Sequence, residues 1–375
     1  MKPYSDEYFM KLALKEGYKG LGKTSPNPPV GAVLVDPKTL KVIAKGYHRG
    51  YGLSHAEVEA IKKAKDKAKG AILYVTLEPC NHYGKTPPCT KKILEAEISK
   101  VICGLRDPNP LARGGLETLK KHGIDVKSGV LEREVKILTR FFLSRILRKS
   151  PWIIVKIASS IDGKIAVSTG DSKWITDFKA RKEAHKIRSM VDAILVGKNT
   201  VLKDDPELTT RLIKGKSPLR IVLDTNLTLS PNFRVFRVDE TQKTILVCGE
   251  KTFLLEKEEV FKKRGVEVWK LPLKEEKIDL KALIERCYQE NITSLLVEGG
   301  AEVIGSFISE GLVDEVFYFI GPMIIGDREG IPAVKGKPLQ SLKEALLLHE
   351  ISLKKLENTF LFHAYTSKGL ELLNT

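Results

Sequence analysis

Three metal-binding side chains, His55, Cys80 and Cys89, lie far apart in this chain and can act together only if the fold brings them to one point. One imidazole and two thiolates can hold a tetrahedral Zn²⁺ and leave its fourth position for water. Three protein ligands and an open position favour catalysis, because a structural zinc takes a fourth protein ligand. Glu57, two residues after His55, is placed to move protons on and off that water. Each residue alone reads as a packed histidine or an ordinary buried thiol. The four together, with Pro79 and Pro88 directly before the cysteines, read as a metal centre. His82, between the cysteines, is the nearest rival ligand.

Local patterning supports the site. Val30–Val35 reads as a strand and Val42–Gly46 as its neighbour. Ser54 reads as a helix N-cap, with Ala56, Val58, Ala60, Ile61 and Ala64 following at helical spacing. Ile72–Leu77 is a short apolar run suited to a buried strand. Cys89 opens a further helix, where the dipole and the metal both favour its thiolate.

The length of 375 residues exceeds one ordinary core and predicts two domains. No stretch reaches the roughly 20 apolar residues of a membrane span, and the N-terminal residues lack a signal-peptide core. Beyond the proposed ligands, Cys103, Cys248 and Cys287 read as core thiols, which predicts a reducing, cytoplasmic setting. Glutamine occurs three times while lysine and glutamate abound, a hint of heat adaptation. The net charge of +16 is uneven. Residues 1–150 hold 29 Lys/Arg against 15 Asp/Glu, and residues 151–375 hold 34 against 32. A basic first half suits nucleic acid or a phosphorylated small molecule. Its lysines, such as Lys62, Lys63, Lys65, Lys67 and Lys69, lack the interleaved aromatics that stack bases, so they read as a solvated face.

An amphipathic stretch, Val135–Leu147, runs into Arg148-Lys149-Ser150-Pro151, where proline ends the helix and the halves part. Strands are predicted at 152–158, 193–196, 219–223, 244–247, 266–270, 294–297, 315–320 and 361–365. Helices are predicted at 178–190, 280–291 and 301–310. This alternation is an α/β domain. Val196-Gly197-Lys198-Asn199-Thr200 and Val297-Glu298-Gly299-Gly300-Ala301 each follow a strand. Neither is the Gly-x-Gly-x-x-Gly dinucleotide fingerprint, although Gly299-Gly300 opens a helix and bares N–H groups to a phosphate.

Nucleobase deaminases pair a His-x-Glu with two cysteines separated by two residues. Here eight intervene, Asn81 to Pro88. The residues alone leave three readings: a deaminase of a small molecule, a deaminase of a base in RNA with a substrate-binding second half, or a non-catalytic zinc module. Glu57 disfavours the last.

Nearly end to end, the chain resembles the bifunctional deaminase–reductase family of riboflavin biosynthesis. The first half carries Pro26-Asn27-Pro28-Pro29-Val30-Gly31, Gly46-Tyr47-His48, His55-Ala56-Glu57, Glu78-Pro79-Cys80, Gly84-Lys85-Thr86-Pro87-Pro88-Cys89 and Asp107-Pro108-Asn109-Pro110. The second carries Lys156 to Lys164, Gly170-Asp171-Ser172-Lys173-Trp174, Asp204 to Arg211, Glu298-Gly299-Gly300 and Gly311 to Val316. The long insert between the cysteines is the form expected in this family. Departures fall at Ile324-Ile325-Gly326-Asp327 and in the short Leu111–Gly115 segment.

The resemblance implies an α/β protein: an N-terminal cytidine-deaminase-like three-layer domain and a C-terminal dihydrofolate-reductase-like α/β domain. It implies a zinc-dependent pyrimidine deaminase over 1–147 and an NADPH-dependent reductase over 148–375. The first would hydrolyse the 2-amino group of 2,5-diamino-6-(5-phosphoribosylamino)pyrimidin-4-one. The second would reduce the ribosyl chain of the product to ribityl. By motif, Zn²⁺ falls to His55, Cys80 and Cys89, and proton transfer to Glu57. Asn27, His48 and Lys85 would orient the pyrimidine. Ser172, Arg188, Leu208, Arg211 and Glu298 would contact the reductase substrate, with Lys156 near the reacting sugar. Ala158, Trp174, Thr200, Asp204 and Gly300 would hold NADPH. Arg188 and Arg211 suit a bidentate grip on the 5′-phosphate, unless Arg211 holds the cofactor's 2′-phosphate or pairs with Asp204 or Asp205. Asp162 reads as a turn cap. The expected partner is a phosphorylated pyrimidine, with neither nucleic acid nor membrane, and the chain is expected to be a homo-oligomer.

Overall fold

The computed structural model describes residues 4–252 and 254–375. The chain divides between Lys149 and Ser150 into two compact units, with Asn374 grouped in the first.

The first unit runs α1 (Asp6–Gly17), β1 (Gly31–Val35), β2 (Val42–Tyr47), α2 (Ala56–Ala64), β3 (Ile72–Leu77), α3 (Cys89–Glu95), β4 (Lys100–Leu105), α4 (Gly115–Lys121), β5 (Asp125–Lys127) and α5 (Glu132–Leu143). Its sheet has the order β2-β1-β3-β4-β5. β1 is antiparallel to both neighbours, whereas β3, β4 and β5 are parallel. Successive strand residues point to opposite faces, and both faces are covered. Ala32, Leu34, Leu73, Val75 and Val101 pack with Ala56, Ala60, Ile61, Ile93 and Leu116 of α2, α3 and α4. On the other face Val33, Val35, Tyr74 and Ile102 meet Phe9, Met10 and Ala13 of α1. The result is three layers.

Two close approaches set the site. A β-carbon on Gly46 of β2 would land on the Ala56 carbonyl and lie 2.6 Å from the Ala60 nitrogen. The first turn of α2 therefore rests on bare strand backbone. A β-carbon on Gly115, at the start of α4, would land on the Pro79 carbonyl beside Cys80.

The N-cap of α2 is His55, not Ser54. His55 keeps an extended backbone (φ −72°, ψ 165°) and its carbonyl accepts the Glu59 N–H at 3.0 Å. The Ser54 hydroxyl instead accepts from Lys62 Nζ at 3.1 Å. The amphipathic segment before the boundary starts earlier than expected, at Glu132, and its last turn, Ser144–Arg148, is a π-helix.

The second unit runs β6 (Trp152–Ser159), β7 (Lys164–Ala166), α6 (Phe178–Met190), β8 (Ala193–Gly197), α7 (Lys198–Asp204), β9 (Leu219–Leu223), β10 (Thr244–Gly249), α8 (Leu255–Lys263), β11 (Glu267–Leu271), β12 (Leu273–Lys274), β13 (Lys277–Ile278), α9 (Leu280–Gln289), β14 (Ser294–Gly299), α10 (Ala301–Ser309), β15 (Glu315–Ile320), β16 (Ile331–Pro332), β17 (Leu348–Leu356), β18 (Thr359–Thr366) and α11 (Ser367–Asn374). The main sheet is β11-β10-β9-β8-β14-β6-β15-β18-β17. It is parallel as far as β15, and β18 and β17 finish it antiparallel. All eight expected strands are present. Not anticipated were α7, α8, α11, the short strands β7, β12, β13 and β16, and the edge strand β17, whose residues are mostly exposed. Asp162 does cap a turn: its carboxylate accepts the Ile325 and Gly326 N–H groups at 3.0 and 2.9 Å. Cys103, Cys248 and Cys287 are buried free thiols. No helix among the described residues is long and apolar enough to cross a membrane.

If the seat of α2 on Gly46 fixes the site, Gly46→Val should destabilise the first unit by about 1–3 kcal/mol or more through overpacking. It should also lower bound zinc by displacing His55. Thermal melting and metal analysis of the purified variant would check this, and full zinc occupancy would contradict it.

Candidate active sites

In the first unit, the ligand atoms of His55, Cys80 and Cys89 lie within 4.8 Å of one another. His55 Nδ1 is 3.2 Å from Cys89 Sγ and 3.5 Å from Cys80 Sγ. A tetrahedral zinc with ordinary Zn–N and Zn–S bonds separates N from S by about 3.5 Å, so the donor set fits the ion. The Cys89 N–H also donates to Cys80 Sγ at 3.4 Å. The hydrogen bond from the Cys89 thiol, helped by His55, holds Cys80 well below the usual thiol range. The same bond and burial push Cys89 up. A cation held by these sulfurs and His55 would favour both thiolates. His82 is outside this group.

Beside the ligands is a cavity of about 340 Å³, lined by Asn27, His48, Glu57, His82, Lys85 and Asp107 among others. Glu57 is 3 % exposed, and its Oε2 has no hydrogen-bond partner. Burial pushes this carboxyl up to about 7, with His55 opposing and Cys80 adding to the rise. His48 is buried, and its Nδ1 lies 3.1 Å from the Ser54 carbonyl. An N–H is therefore needed at Nδ1, which leaves Nε2 an acceptor; that atom is buried without a partner. Burial holds its pKa below the ordinary value. Lys85 is exposed, with Nζ 4.0 Å over the Tyr51 ring.

In the second unit the candidates gather at the carboxyl ends of three adjacent strands, β8, β14 and β6. Ligands of open α/β sheets bind at such edges. Lys156 and Ala158 are on β6, Glu298 ends β14, and Thr200 and Asp204 are on α7 after β8. Gly300 (φ 74°) is the N-cap of α10. A β-carbon at Gly299 or Gly300 would meet Thr200 Oγ1 at 2.9 or 3.5 Å. These bare turns form a cradle that suits a cofactor phosphate. Ser172 Oγ donates to Asp204 Oδ1 at 3.1 Å, joining a candidate substrate residue to a candidate cofactor residue. Trp174 is exposed, with the Arg181 guanidinium 3.9 Å over its ring.

Two similarities meet this geometry. Residues 3–105 match the cytidine and deoxycytidylate deaminase zinc-binding region, and residues 151–362 match the RibD C-terminal domain. A riboflavin biosynthesis protein RibD from Aquifex aeolicus is 43 % identical over 355 residues, covering 94 % of this chain and 95 % of that protein. A crystal structure from Thermotoga maritima, of a diaminohydroxyphosphoribosylaminopyrimidine deaminase/5-amino-6-(5-phosphoribosylamino)uracil reductase, is 40 % identical. It has a TM-score of 0.85 and covers 96 % of this chain and 98 % of its own. Acinetobacter baumannii RibD is 31 % identical, with a TM-score of 0.86 and coverage of 96 % and 99 %.

The chain belongs to the RibD family. It is a bifunctional enzyme of riboflavin biosynthesis, with a zinc site in a cytidine-deaminase-like domain and a dihydrofolate-reductase-like domain that uses NADPH.

Three details of the reductase half of this RibD chain bear on the expected substrate contacts. Arg188 spends its Nε–Nη2 edge on Glu298 at 2.7 and 2.8 Å, and its Nη1 on the Thr209 carbonyl at 3.1 Å. One bidentate edge of this guanidinium is therefore engaged within the protein, and one N–H on each of Nη1 and Nη2 is left over. Leu208 is 3 % exposed with φ 54°, so any contact it makes comes from its backbone. Arg211 pairs with neither Asp204 nor Asp205. Its nearest acid is Glu207 at 3.7 Å, while Asp205 holds Arg234 at 3.0 Å.

Three residues had no role assigned from sequence. Glu78 accepts the Asp107, Gly114 and Leu116 N–H groups at 3.0, 3.1 and 3.0 Å, tying the segment that closes the deaminase cavity. Asp107 lines that cavity, and burial raises its carboxyl to about 6. Both stand inside the quoted motifs, which were the available signal. His185 on α6 had none.

Glu298 binds Arg188 and lies 3.7 Å from Lys156 Nζ, with its own side chain 5 % exposed. Burial alone would raise its carboxyl, but the Arg188 and Lys156 charges bring it to about 2. Lys156 is itself lowered, because burial and Arg188 outweigh the pull of Glu298. The Glu298 contribution is present above pH 4.5 and is lost as pH falls toward 2, amounting to about 3 kcal/mol. Glu298→Gln strands Arg188 and should cost about 3–5 kcal/mol at neutral pH. Melting curves at pH 7 and pH 3 would check both statements. A variant as stable as the parent at pH 7 would contradict the assignment.

Proposed function

We propose that the first unit deaminates 2,5-diamino-6-(5-phosphoribosylamino)pyrimidin-4-one and that the second reduces the ribosyl chain of the product to ribityl. The observation that carries this is the buried, unpartnered Glu57 Oε2 beside three converged ligands. When bound, zinc supplies a water acidified toward neutral pH and NADPH supplies a hydride. Glu57 takes the proton of the attacking water and delivers it to the departing amine, which leaves as ammonia. His48 Nε2 accepts a hydrogen from the pyrimidine, and Asn27 and Lys85 orient its other polar groups. Burial of the cavity strengthens each contact.

In the reductase, Lys156 and Glu298 face the sugar. Arg188 acts chiefly by holding Glu298, and Arg211, half-exposed with only long contacts, receives the 5′-phosphate. Ser172 and the Leu208 backbone complete the substrate side. Ala158, Trp174, Thr200, Asp204 and Gly300 hold NADPH. Residues 1–147 and 148–375 each carry one activity. The same reading makes the protein a cytoplasmic homo-oligomer, supported by the edge strand β17 with Ile351 and Leu353 exposed.

Supplying the diaminopyrimidine phosphate with and without NADPH should give the ribityl product only with cofactor and the deaminated intermediate without it. Failure to deaminate would overturn the reading. Glu57→Gln should retain zinc but lose about 10²–10⁴-fold in deamination, because the amide cannot accept the proton. Reduction of deaminated substrate should survive, and near-parental deamination would remove Glu57 from its role. Expressed apart, 1–147 should deaminate and 148–375 should reduce. Activity only on mixing the fragments would show the assignment by fragment to be wrong.

A further inference from the structure

Arg211 stands on a segment whose backbone is tied on every side while its own side chain is not. Arg188 Nη1 donates to the Thr209 carbonyl at 3.1 Å. The Thr210 N–H donates to Ser217 Oγ at 3.1 Å, and the Thr210 hydroxyl to the Gly215 carbonyl at 3.0 Å. The Leu212 N–H donates to His185 Nδ1 at 3.4 Å. Among the described residues, the Arg211 guanidinium by contrast reaches only Thr209 Oγ1 at 3.5 Å and Glu207 at 3.7 Å.

His185 and Arg188 are three residues apart on α6 and share a face. One helix therefore grips the segment on both sides of Arg211. His185 is 5 % exposed. Since Nδ1 accepts from Leu212, the imidazole must be neutral at that atom. The charged groups facing it are Arg188 on α6, Arg211 on the segment and Glu298 on β14. Burial, then Arg188 and Arg211, push His185 down to about 4 against the pull of Glu298. The ring thus remains an acceptor at neutral pH.

We propose that His185 is a positioning residue of the reductase, holding the Thr209–Leu212 segment so that Arg211 is presented to the phosphate of the substrate. This rests on the reading of Arg211 as the phosphate contact. The role demands a hydrogen-bond acceptor at the δ1 position and little else. Asparagine carries an acceptor there, whereas leucine fills the space without one.

The test measures steady-state reduction of the deaminated substrate, with and without its phosphate, by the full chain. His185→Leu should raise KM for the phosphorylated substrate roughly three- to tenfold, the worth of one hydrogen bond. The kcat and the KM for NADPH should stay within about twofold. His185→Asn should recover most of the loss. Arg211→Ala should raise the same KM, and adding His185→Leu to it should change little further, because the two act through one contact.

An unchanged KM in Arg211→Ala would overturn the phosphate reading beneath the proposal. A raised KM in Arg211→Ala with none in His185→Leu would overturn the proposal alone. So would multiplicative losses in the double variant, or equal losses on the dephosphorylated substrate. Should His185→Leu not fold, His185→Gln moves the acceptor one bond away and carries the same comparison.

Discussion

The deaminase site depends on helix and loop backbone lying directly against backbone. His55 and Glu57 belong to the start of α2, which sits on β2 at Gly46, where no side chain intervenes. Cys80 follows β3 in a loop pressed against α4 at Gly115. Cys89 opens α3, and its N–H reaches the Cys80 sulfur. Three elements that share no sequence neighbourhood thus deliver three donors at tetrahedral separations. A set of metal ligands is only as exact as the packing behind it, and here that packing consists mainly of contacts that a methyl group would break. Glu78 completes the arrangement, since one carboxylate accepts three N–H groups from the Asp107–Leu116 segment and fixes the far wall of the cavity.

Much of this was legible in the sequence because local rules and tertiary structure agree. The apolar runs at Ile72–Leu77, Leu219–Leu223 and Glu315–Ile320 are strands with those very limits. The α6 helix likewise keeps its predicted limits, Phe178–Met190, with Asp177 capping it. The ligand set was readable since only a metal explains His55, Glu57, Cys80 and Cys89 in one pattern. Propensity failed where tertiary contacts decide. Ser54 is the better capping residue by type, yet the chain turns one residue later at His55. β17 is mostly exposed and carries lysines, so it has no buried face to advertise, and pairing with β18 alone makes it a strand.

Pairings distant in sequence were the least readable. Arg188 and Glu298 are 110 residues apart, and nothing local to either says that they are paired. Motif matching assigns both to substrate, and only geometry shows that the two also bind each other. The same difficulty hides His185, an apparently ordinary helix residue until the fold brings the Leu212 N–H to it.

The two sites solve opposite electrostatic problems. Around the metal ligands, Glu57 Oε2 and His48 Nε2 are kept buried without partners. An unsatisfied buried polar atom costs about 1–3 kcal/mol, so each is held in place by the surrounding fold and is repaid when substrate or water supplies the missing hydrogen bond. An open acceptor lets an incoming group be bound without first breaking an internal hydrogen bond. The reductase cluster is closed instead: Glu298 is bound by Arg188 and approached by Lys156. Hydride transfer asks the protein for position and a steady field more than for an exchangeable proton. The buried Arg188–Glu298 pair, with Lys156 beside it, provides both, whereas the Arg211 guanidinium has only contacts of 3.5 Å and longer.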